Sequence, residues 1–153
     1  MTPFTLAALK LELTENPMEL GYVENNDVTL AVINNPIPSI TKPRSIPRAD
    51  LLKWAAKNGV LLALKNASNT ESPVQGVAFA ALLMLQGSVD MFDMTDADNV
   101  AMVDALTAAS VITIDQKASL LELATMPASR AEQIFGRLVT LVEIEQARVS
   151  ENE

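Results

Sequence analysis

Signals for the start of an α-helix recur from residue 72 onward, and they constrain the fold of this chain more than any other feature. In a capping box, a Ser or Thr side chain binds a backbone N–H of the first helical turn, and an acidic or Gln side chain three residues later binds back. Five such pairs occur, and each precedes an apolar stretch, so together they predict a helical array. The pairs are Ser72/Gln75, Thr95/Asp98, Thr113/Gln116, Ser129/Glu132 and Thr140/Glu143.

The apolar residues favour the same fold class. Hydrophobic residues make up 49% of the chain but aromatic ones only 4%, and most of the others are Ala, Leu, Val, Ile and Met, which include the strongest helix formers. A β-branched run at 111–114 is short and lies between helical patterns, so we interpret it as a connector. The sequence predicts an all-α fold, a compact array of about six to eight short helices with an extended proline-rich arm. The first helix is expected to begin at Thr2.

The arm is the segment 35–48, which contains four prolines. Proline removes a backbone donor and biases the residue before it toward extended geometry, so this segment is predicted to be extended, in part as polyproline II, and not helical. Two interpretations remain open. The segment is either a docking arm that lies across a partner, or a connector that packs along its own domain.

The same segment holds the candidate interaction residues. It contains three basic residues and no acidic one, whereas the whole chain has a formal net charge of −8. In the docking interpretation, isoleucines act as apolar anchors and the cations meet acidic groups of the partner. The candidate interface residues are Ile37, Ile40, Lys42, Arg44, Ile46 and Arg48.

Length and segment composition predict the domain organisation. A chain of 153 residues is expected to form a single helical domain, 1–153. Within it we expect N-terminal helices at 1–34, the basic arm or linker at 35–48, and the main helical body at 49–150. The longest apolar run, 77–85, is far shorter than the roughly 20 residues that a membrane span needs, and no targeting segment is convincing, so no membrane partner is expected.

The chain has no Cys and no His. This excludes a Cys nucleophile, a Ser–His relay, an imidazole base and the usual zinc sites. The five glycines have no phosphate-binding spacing. We therefore predict no catalytic residue, no bound cofactor and no metal, and the net charge of −8 disfavours binding to the phosphate backbone of nucleic acids.

The acidic cluster at Asp90, Asp93, Asp96 and Asp98 invites comparison with a calcium site. A calcium loop of the EF-hand type needs a Gly at its sharp turn and a bidentate Glu at its end, and both are missing here. Acidic residues in the first turn of a helix are favoured by the helix dipole. We therefore interpret the cluster as the start of a helix.

Two stretches resemble a group of small tailed-bacteriophage proteins. LKLELTENPMELGYVENNDVTLAVIN, at 9–34, resembles the group's opening, in which an L-x-x-E-L/I helix is followed by a T-x-x-P…G-Y turn and a short helix ending in Asn. ASLLELATMPASRAEQIFGRLVTLVEIEQA, at 118–147, resembles the group's ending, L-L-x-L-A…S-R-A-E-x-x-F/L-G. The turn departs from the group's usual Asp-Pro-Leu-Gly, and the middle of the chain, 60–110, has no detailed match.

The resemblance implies a non-enzymatic virion structural or assembly protein. Its expected location is the virion, after assembly in the host cytoplasm, and its expected station is the head–tail junction, as a neck or connector component. Its partners would be copies of itself, in a homo-oligomer such as a ring, and neighbouring virion proteins. The alternative is an acidic, phage-encoded inhibitor that binds a host nucleic-acid-binding protein by mimicking its charge.

The residues of these two stretches also have plain structural roles. Pro17, Gly21 and Tyr22 are expected to form and fix a turn. In the second stretch, Arg130 is left available for an ion pair and Gly136 is expected to end a short helix.

Overall fold

The computed structural model describes residues 2–149 of the chain. It is 60% helical, with nine helices among the described residues, and 11% of it is strand in two small sheets. The predicted dominance of helix is therefore right, but the all-α fold class is wrong, and the fold is mixed α/β. In the described part of the chain, no helix is both long enough and apolar enough to cross a lipid bilayer.

The proline-rich segment accounts for half of the strands. It forms β1 (Pro36–Pro43), which pairs with β4 (Thr125–Ser129), and β2 (Ile46–Pro47), which pairs with β3 (Met91–Phe92). β2 and β3 are antiparallel, with Ile46 opposite Phe92. The prediction of extended geometry is right, but the segment is paired and not loose. Proline is compatible with an edge strand because only one side of such a strand must donate hydrogen bonds, and both strands of a two-stranded sheet are edges.

The chain divides into two compact units. Unit 1 combines the described residues up to Lys42 with those from Pro127 onward, so that it contains both ends of the stretch 2–149. Unit 2 is the continuous stretch Pro43–Met126. Each unit has its own cluster of buried apolar side chains.

Unit 1 begins with a helix whose start differs from the sequence prediction. The helix begins at Leu6 and not at Thr2, because the Thr5 side chain accepts a hydrogen bond from the Ala8 N–H and serves as the N-cap. Asn16, at φ 41° in the left-handed region, ends it. The helices of unit 1 are α1 (Leu6–Glu15), α2 (Asn26–Asn34), α8 (Arg130–Phe135) and α9 (Leu141–Val149).

The core of unit 1 joins residues from the two ends of the sequence. α1 and α2 both pack against α9, and α2 also packs against α8. The ring of Phe4 meets that of Phe135 edge to face, with 5.2 Å between centroids. The buried side chains are Leu9, Ile33, Ala131, Phe135, Val139, Ile144 and Ala147.

Unit 2 is a helical array around a larger apolar core. Gly59, at φ 71°, separates its first two helices by a left-handed turn that residues other than glycine rarely adopt. Its third helix continues into a single π-helical turn, Met84–Ser88. The helices are α3 (Arg48–Lys57), α4 (Val60–Ser68), α5 (Gln75–Leu83), α6 (Ala97–Ala108) and α7 (Ile114–Leu123).

Three of the five predicted capping boxes form. At α7, Thr113 accepts from the Gln116 N–H while the Gln116 side chain accepts from the Thr113 N–H, and α8 begins with the same reciprocal pair of bonds. At α9, the Thr140 N–H donates to the Glu143 carboxylate at 2.8 Å, and the return bond is 3.4 Å. These signals lie within four consecutive residues, so the sequence alone specifies them.

The other two predicted boxes are wrong. α6 is capped by Asp96, whose carboxylate accepts from the Asp98 and Asn99 N–H groups, because a charged acceptor binds backbone donors more strongly than a hydroxyl does. The neighbouring Thr95 instead donates its hydroxyl to Asp93 at 2.7 Å. At α5, the cap position is Val74, which provides no side-chain acceptor.

Candidate interaction surfaces

The three isoleucines of the proline-rich segment do not form a common exposed surface. Ile46 is 0% exposed and packs within the core of unit 2, and Ile40 is 4% exposed. Only Ile37 is partly accessible. Two of the three proposed apolar anchors are therefore buried by this chain itself, which corresponds to the connector interpretation at those positions.

The three cations of the segment are ion-paired within their own units. Lys42 donates to Glu132 in unit 1, which lowers the pKa of the Glu132 carboxyl, with a further contribution from the Ser129 N–H. In unit 2, Arg44 lies 3.1 Å from Asp50, and Arg48 lies 3.9 Å from Asp90.

These pairs are partly exposed, and ion pairs of that kind contribute roughly 0–1 kcal/mol. They leave the cations able to meet a partner only through their solvent-facing sides. The role of the segment 35–48 in docking stays a prediction, now restricted to Ile37 and to the exposed parts of its cations.

A polar cluster in unit 1 is built around the buried carboxylate of Glu12. Arg130 donates two hydrogen bonds to the Glu12 carboxylate, from Nε to Oε1 at 2.8 Å and from Nη2 to Oε2 at 2.9 Å. The Tyr22 hydroxyl donates to Oε1 of the same carboxylate at 3.1 Å. Glu12 is only 6% exposed, so this carboxylate depends on these donors to replace water.

The cluster shifts the titration of its members. Burial raises the pKa of the Tyr22 hydroxyl, and the adjacent Glu12 carboxylate raises it further. The hydrogen bond to Glu12 raises the pKa of Arg130. Both shifts favour the states that the hydrogen bonds need, in which the Tyr22 hydroxyl donates and Arg130 is charged.

The cluster joins the two stretches that resemble the phage proteins. Glu12 and Tyr22 belong to the first stretch and Arg130 to the second. The sequence indicated that Arg130 was available for an ion pair, but its partner is 118 residues away, and local spacing carries no information about such a contact.

Two further links between the chain ends were missed by sequence reasoning. Arg148 on α9 donates to the carbonyl oxygens of Val23 and Glu24 and to the side chains of Asn26 and Thr29, at 2.5 to 3.0 Å. An isolated Arg near a chain end gives no signal of this role.

The second missed link joins Asn34 to Val139. The Asn34 side chain donates to the Val139 carbonyl at 2.8 Å and accepts from the Val139 N–H at 3.0 Å. The phage-like pattern has an Asn at the end of its short helix, and this Asn34 was the one sequence feature that pointed to the contact.

The acidic cluster before α6 has a structural role. Asp93 accepts hydrogen bonds from the N–H and hydroxyl of Thr95, and the bond from the N–H makes the largest contribution to lowering its pKa. Asp96 caps α6. Within residues 2–149, no group of three or more Asp or Glu side chains is placed to hold a metal ion.

A small cavity of about 50 Å³ lies among the core residues of unit 2. It is lined by apolar core residues and by the Trp54 ring, whose Nε1 donates to the Ser119 hydroxyl at 3.0 Å. A cavity without polar partners is a poor site for water.

An apolar groove of about 410 Å³ runs between α5 and α6 on the surface of unit 2. A Cβ added at Gly76 would have no neighbour within 4 Å, so the wall is open to solvent there. Beside it, α5 exposes Phe79 at 53% and Leu83 at 42%. The groove is lined by Gly76, Val77, Ala80, Ala101, Met102 and Ala105.

The described surfaces thus offer two kinds of feature to another molecule, the partly exposed cations near β1 and the apolar groove of unit 2. The buried polar side chains of unit 1 are all hydrogen-bonded within that unit: Glu12, Thr29 and Ser129. No family model, no curated protein and no solved structure matches this chain.

Proposed function

We propose that this chain is a non-enzymatic component of a tailed-phage virion that acts by binding copies of itself and neighbouring proteins, at the head–tail junction. One observation carries the proposal. The stretch 9–34 and the part of 118–147 from Pro127 onward form a single compact unit, joined by the buried pair of Glu12 and Arg130.

This observation matters because the resemblance was read from two separate stretches. Two local matches could arise independently as helix-forming patterns. When their characteristic residues instead bond to each other across 118 residues, the two stretches describe one folded module. That favours a resemblance to a whole phage-type unit over chance similarity of helices.

The distribution of polar groups supports a binding role. The buried polar side chains of unit 1 are engaged in structural bonds, whereas unit 2 leaves an apolar groove open. Apolar surface of this kind is typical of protein-binding regions.

The charge-mimic alternative has one specific observation in its favour. Residues 66–116 contain seven acidic residues and no Lys or Arg. Two of those acids, Asp93 and Asp96, bind backbone N–H groups at the start of α6, so their carboxylates are not presented as a row of phosphate-like charges. We therefore rank this alternative second.

The test is quantitative mass spectrometry of purified virions of the phage whose genome encodes this chain. We expect the chain in the particle at a fixed ratio to the major capsid protein, as a ring component requires. A chain that is absent from purified particles, and that co-purifies from infected cells with a basic host protein, would favour the charge mimic instead.

A further inference from the structure

A second groove of unit 2 combines both kinds of surface feature, cations and apolar side chains. It lies between α3 and α7, has a volume of about 350 Å³, and its lining includes Lys53, Trp54, Lys57, Ser119 and Leu123. Trp54 is partly exposed, and the bond from its Nε1 to the Ser119 hydroxyl, at 3.0 Å, fixes the ring. A fixed aromatic ring can anchor a partner at little cost in side-chain entropy. We call this surface the lysine groove.

The two lysines of this groove have no partner within the described chain. Among residues 2–149, only three basic side chains take part in no hydrogen bond or ion pair, namely Lys53, Lys57 and Lys65. Lys53 and Lys57 are exposed and lie one turn apart on α3. The acidic residue of the lining, Asp50, is already paired with Arg44. The groove therefore presents two positive charges that are free to meet another molecule.

These charges call for an anionic occupant. A nucleic acid would bring a continuous row of phosphates against a chain of net charge −8, which disfavours it. Carboxylates on a protein surface place negative charge at a few points only, and repulsion from more distant acidic groups is screened beyond about 8 Å at physiological ionic strength. The occupant that fits is therefore a protein segment with two nearby carboxylates and an apolar side chain for the Trp ring.

The turn that follows α1 in unit 1 carries these groups. Glu15 is the last residue of α1, Glu19 lies in the turn, and between them Met18 is 37% exposed. Both glutamates are exposed, and neither carboxylate has a hydrogen bond or an ion pair within residues 2–149. We call residues 15–20 the glutamate turn.

The glutamate turn is held in one conformation by its own bonds. The Asn16 side chain donates to the Leu20 carbonyl at 2.6 Å and accepts from the Leu20 N–H at 2.7 Å. The Glu19 N–H donates to the Asn16 carbonyl at 2.9 Å, and Glu19 has a positive φ of 53°. These bonds fold the chain back onto the end of α1, so the backbone of the turn needs little further ordering when it binds.

We propose that the lysine groove of one copy of this chain binds the glutamate turn of a second copy. Lys53 and Lys57 meet the two carboxylates, and Met18 contacts the Trp54 ring, since a thioether against an aromatic ring is a favourable contact. The inference rests on the self-binding part of the proposed function, but not on the location of the chain in a virion. Because the groove and the turn are different surfaces, the contact is heterologous, and it generates a ring if the rotation between copies closes.

The test measures self-association of the full chain by sedimentation velocity over a wide range of protein concentration. We expect the mass of the wild-type chain to rise with concentration. The groove variant Lys53→Glu/Lys57→Glu and the turn variant Glu15→Lys/Glu19→Lys are each expected to associate at least about tenfold more weakly, because like charges then face each other. Thermal unfolding confirms that each variant is folded.

A mixture of the two variants separates a specific contact from a general effect of charge. In the mixture, the reversed groove of one variant meets the reversed turn of the other, and the native turn of the first meets the native groove of the second. We therefore expect the mixture to associate although neither variant does so alone. Lys65→Glu and Glu71→Lys are the matched controls, since they reverse exposed charges outside both surfaces, and they should associate as the wild-type chain does.

Three results would overturn the inference. The first is a wild-type chain that stays monomeric at every concentration, and the second is a groove or turn variant that associates as the wild-type chain does. The third is a mixture of the two folded variants that remains monomeric. A chain that is present in virions but monomeric in solution loses this inference alone, whereas a chain that associates as described but is absent from virions loses the virion location.

Discussion

Replacing Arg130 by Met isolates the contribution of the buried ion pair that joins the two ends of the chain. Glu12 is 6% exposed at its side chain and Arg130 is 16% exposed, so removing the guanidinium leaves a carboxylate in a site that little water reaches. Breaking a buried pair in this way costs about 3–5 kcal/mol, and we expect about 3 kcal/mol because Arg130 retains some contact with solvent. For a chain of this size, that corresponds to a decrease in Tm of roughly 6–12 °C.

The assay is urea unfolding followed by circular dichroism, with Arg130→Met, Glu12→Gln and the double variant forming a double-mutant cycle. The double variant is expected to be no less stable than Arg130→Met, because the two changes remove the same interaction. Lys117→Met is the matched control, since Lys117 pairs with Asp104 at 2.6 Å but both side chains are partly exposed. It is expected to cost less than about 1 kcal/mol.

The reasoning is refuted if Arg130→Met costs no more than Lys117→Met. Additive effects in the cycle would contradict it as well, because they would show that Glu12 and Arg130 act independently.

Three further predictions concern other elements. Ile46→Ser is expected to lower the free energy of unfolding by about 2–4 kcal/mol in urea, because Ile46 is 0% exposed. Ile37→Ser should lower it by less than about 1 kcal/mol. Equal losses for the two variants would contradict the burial pattern. Asp96→Ala is expected to cost about 1 kcal/mol of stability in thermal unfolding as the true cap of α6, and a larger loss from Thr95→Ala would restore the capping box predicted at Thr95. The lowered pKa of the Glu132 carboxyl stabilises the folded chain above the unfolded carboxyl pKa of about 4.3, and this stabilisation is lost as the pH falls through the folded pKa. The loss of unfolding free energy caused by Glu132→Gln should therefore become smaller as the pH is lowered. A loss that does not change with pH would exclude this linkage.

The sequence specified the features that are encoded within a few consecutive residues. Thr113 and Gln116 cap α7 as predicted, and Ser129 and Glu132 cap α8. At α6 the prediction was displaced by one residue, since two adjacent side chains could both cap and the charged Asp96 is the stronger acceptor.

The features that the sequence did not specify depend on partners far along the chain. The proline-rich segment was correctly expected to be extended, but its pairing with Thr125–Ser129 makes it a strand, and no local pattern identifies that partner. The same is true of the Glu12–Arg130 pair and of the contacts of Arg148. The apolar groove between α5 and α6 was missed because Ala and Gly on helix faces do not stand out in a sequence as a binding surface.

The formation of unit 1 from both ends of the chain is the central claim, since the proposed function depends on it. Nuclear Overhauser contacts between methyl groups of the full chain, labelled at Ile, Leu and Val, test it most directly. We expect contacts between methyl groups of α1 and α9, where Leu9 and Ile144 lie in the same buried cluster. A spectrum in which the methyl groups of 6–34 contact only one another, and those of 130–149 likewise, would contradict the account.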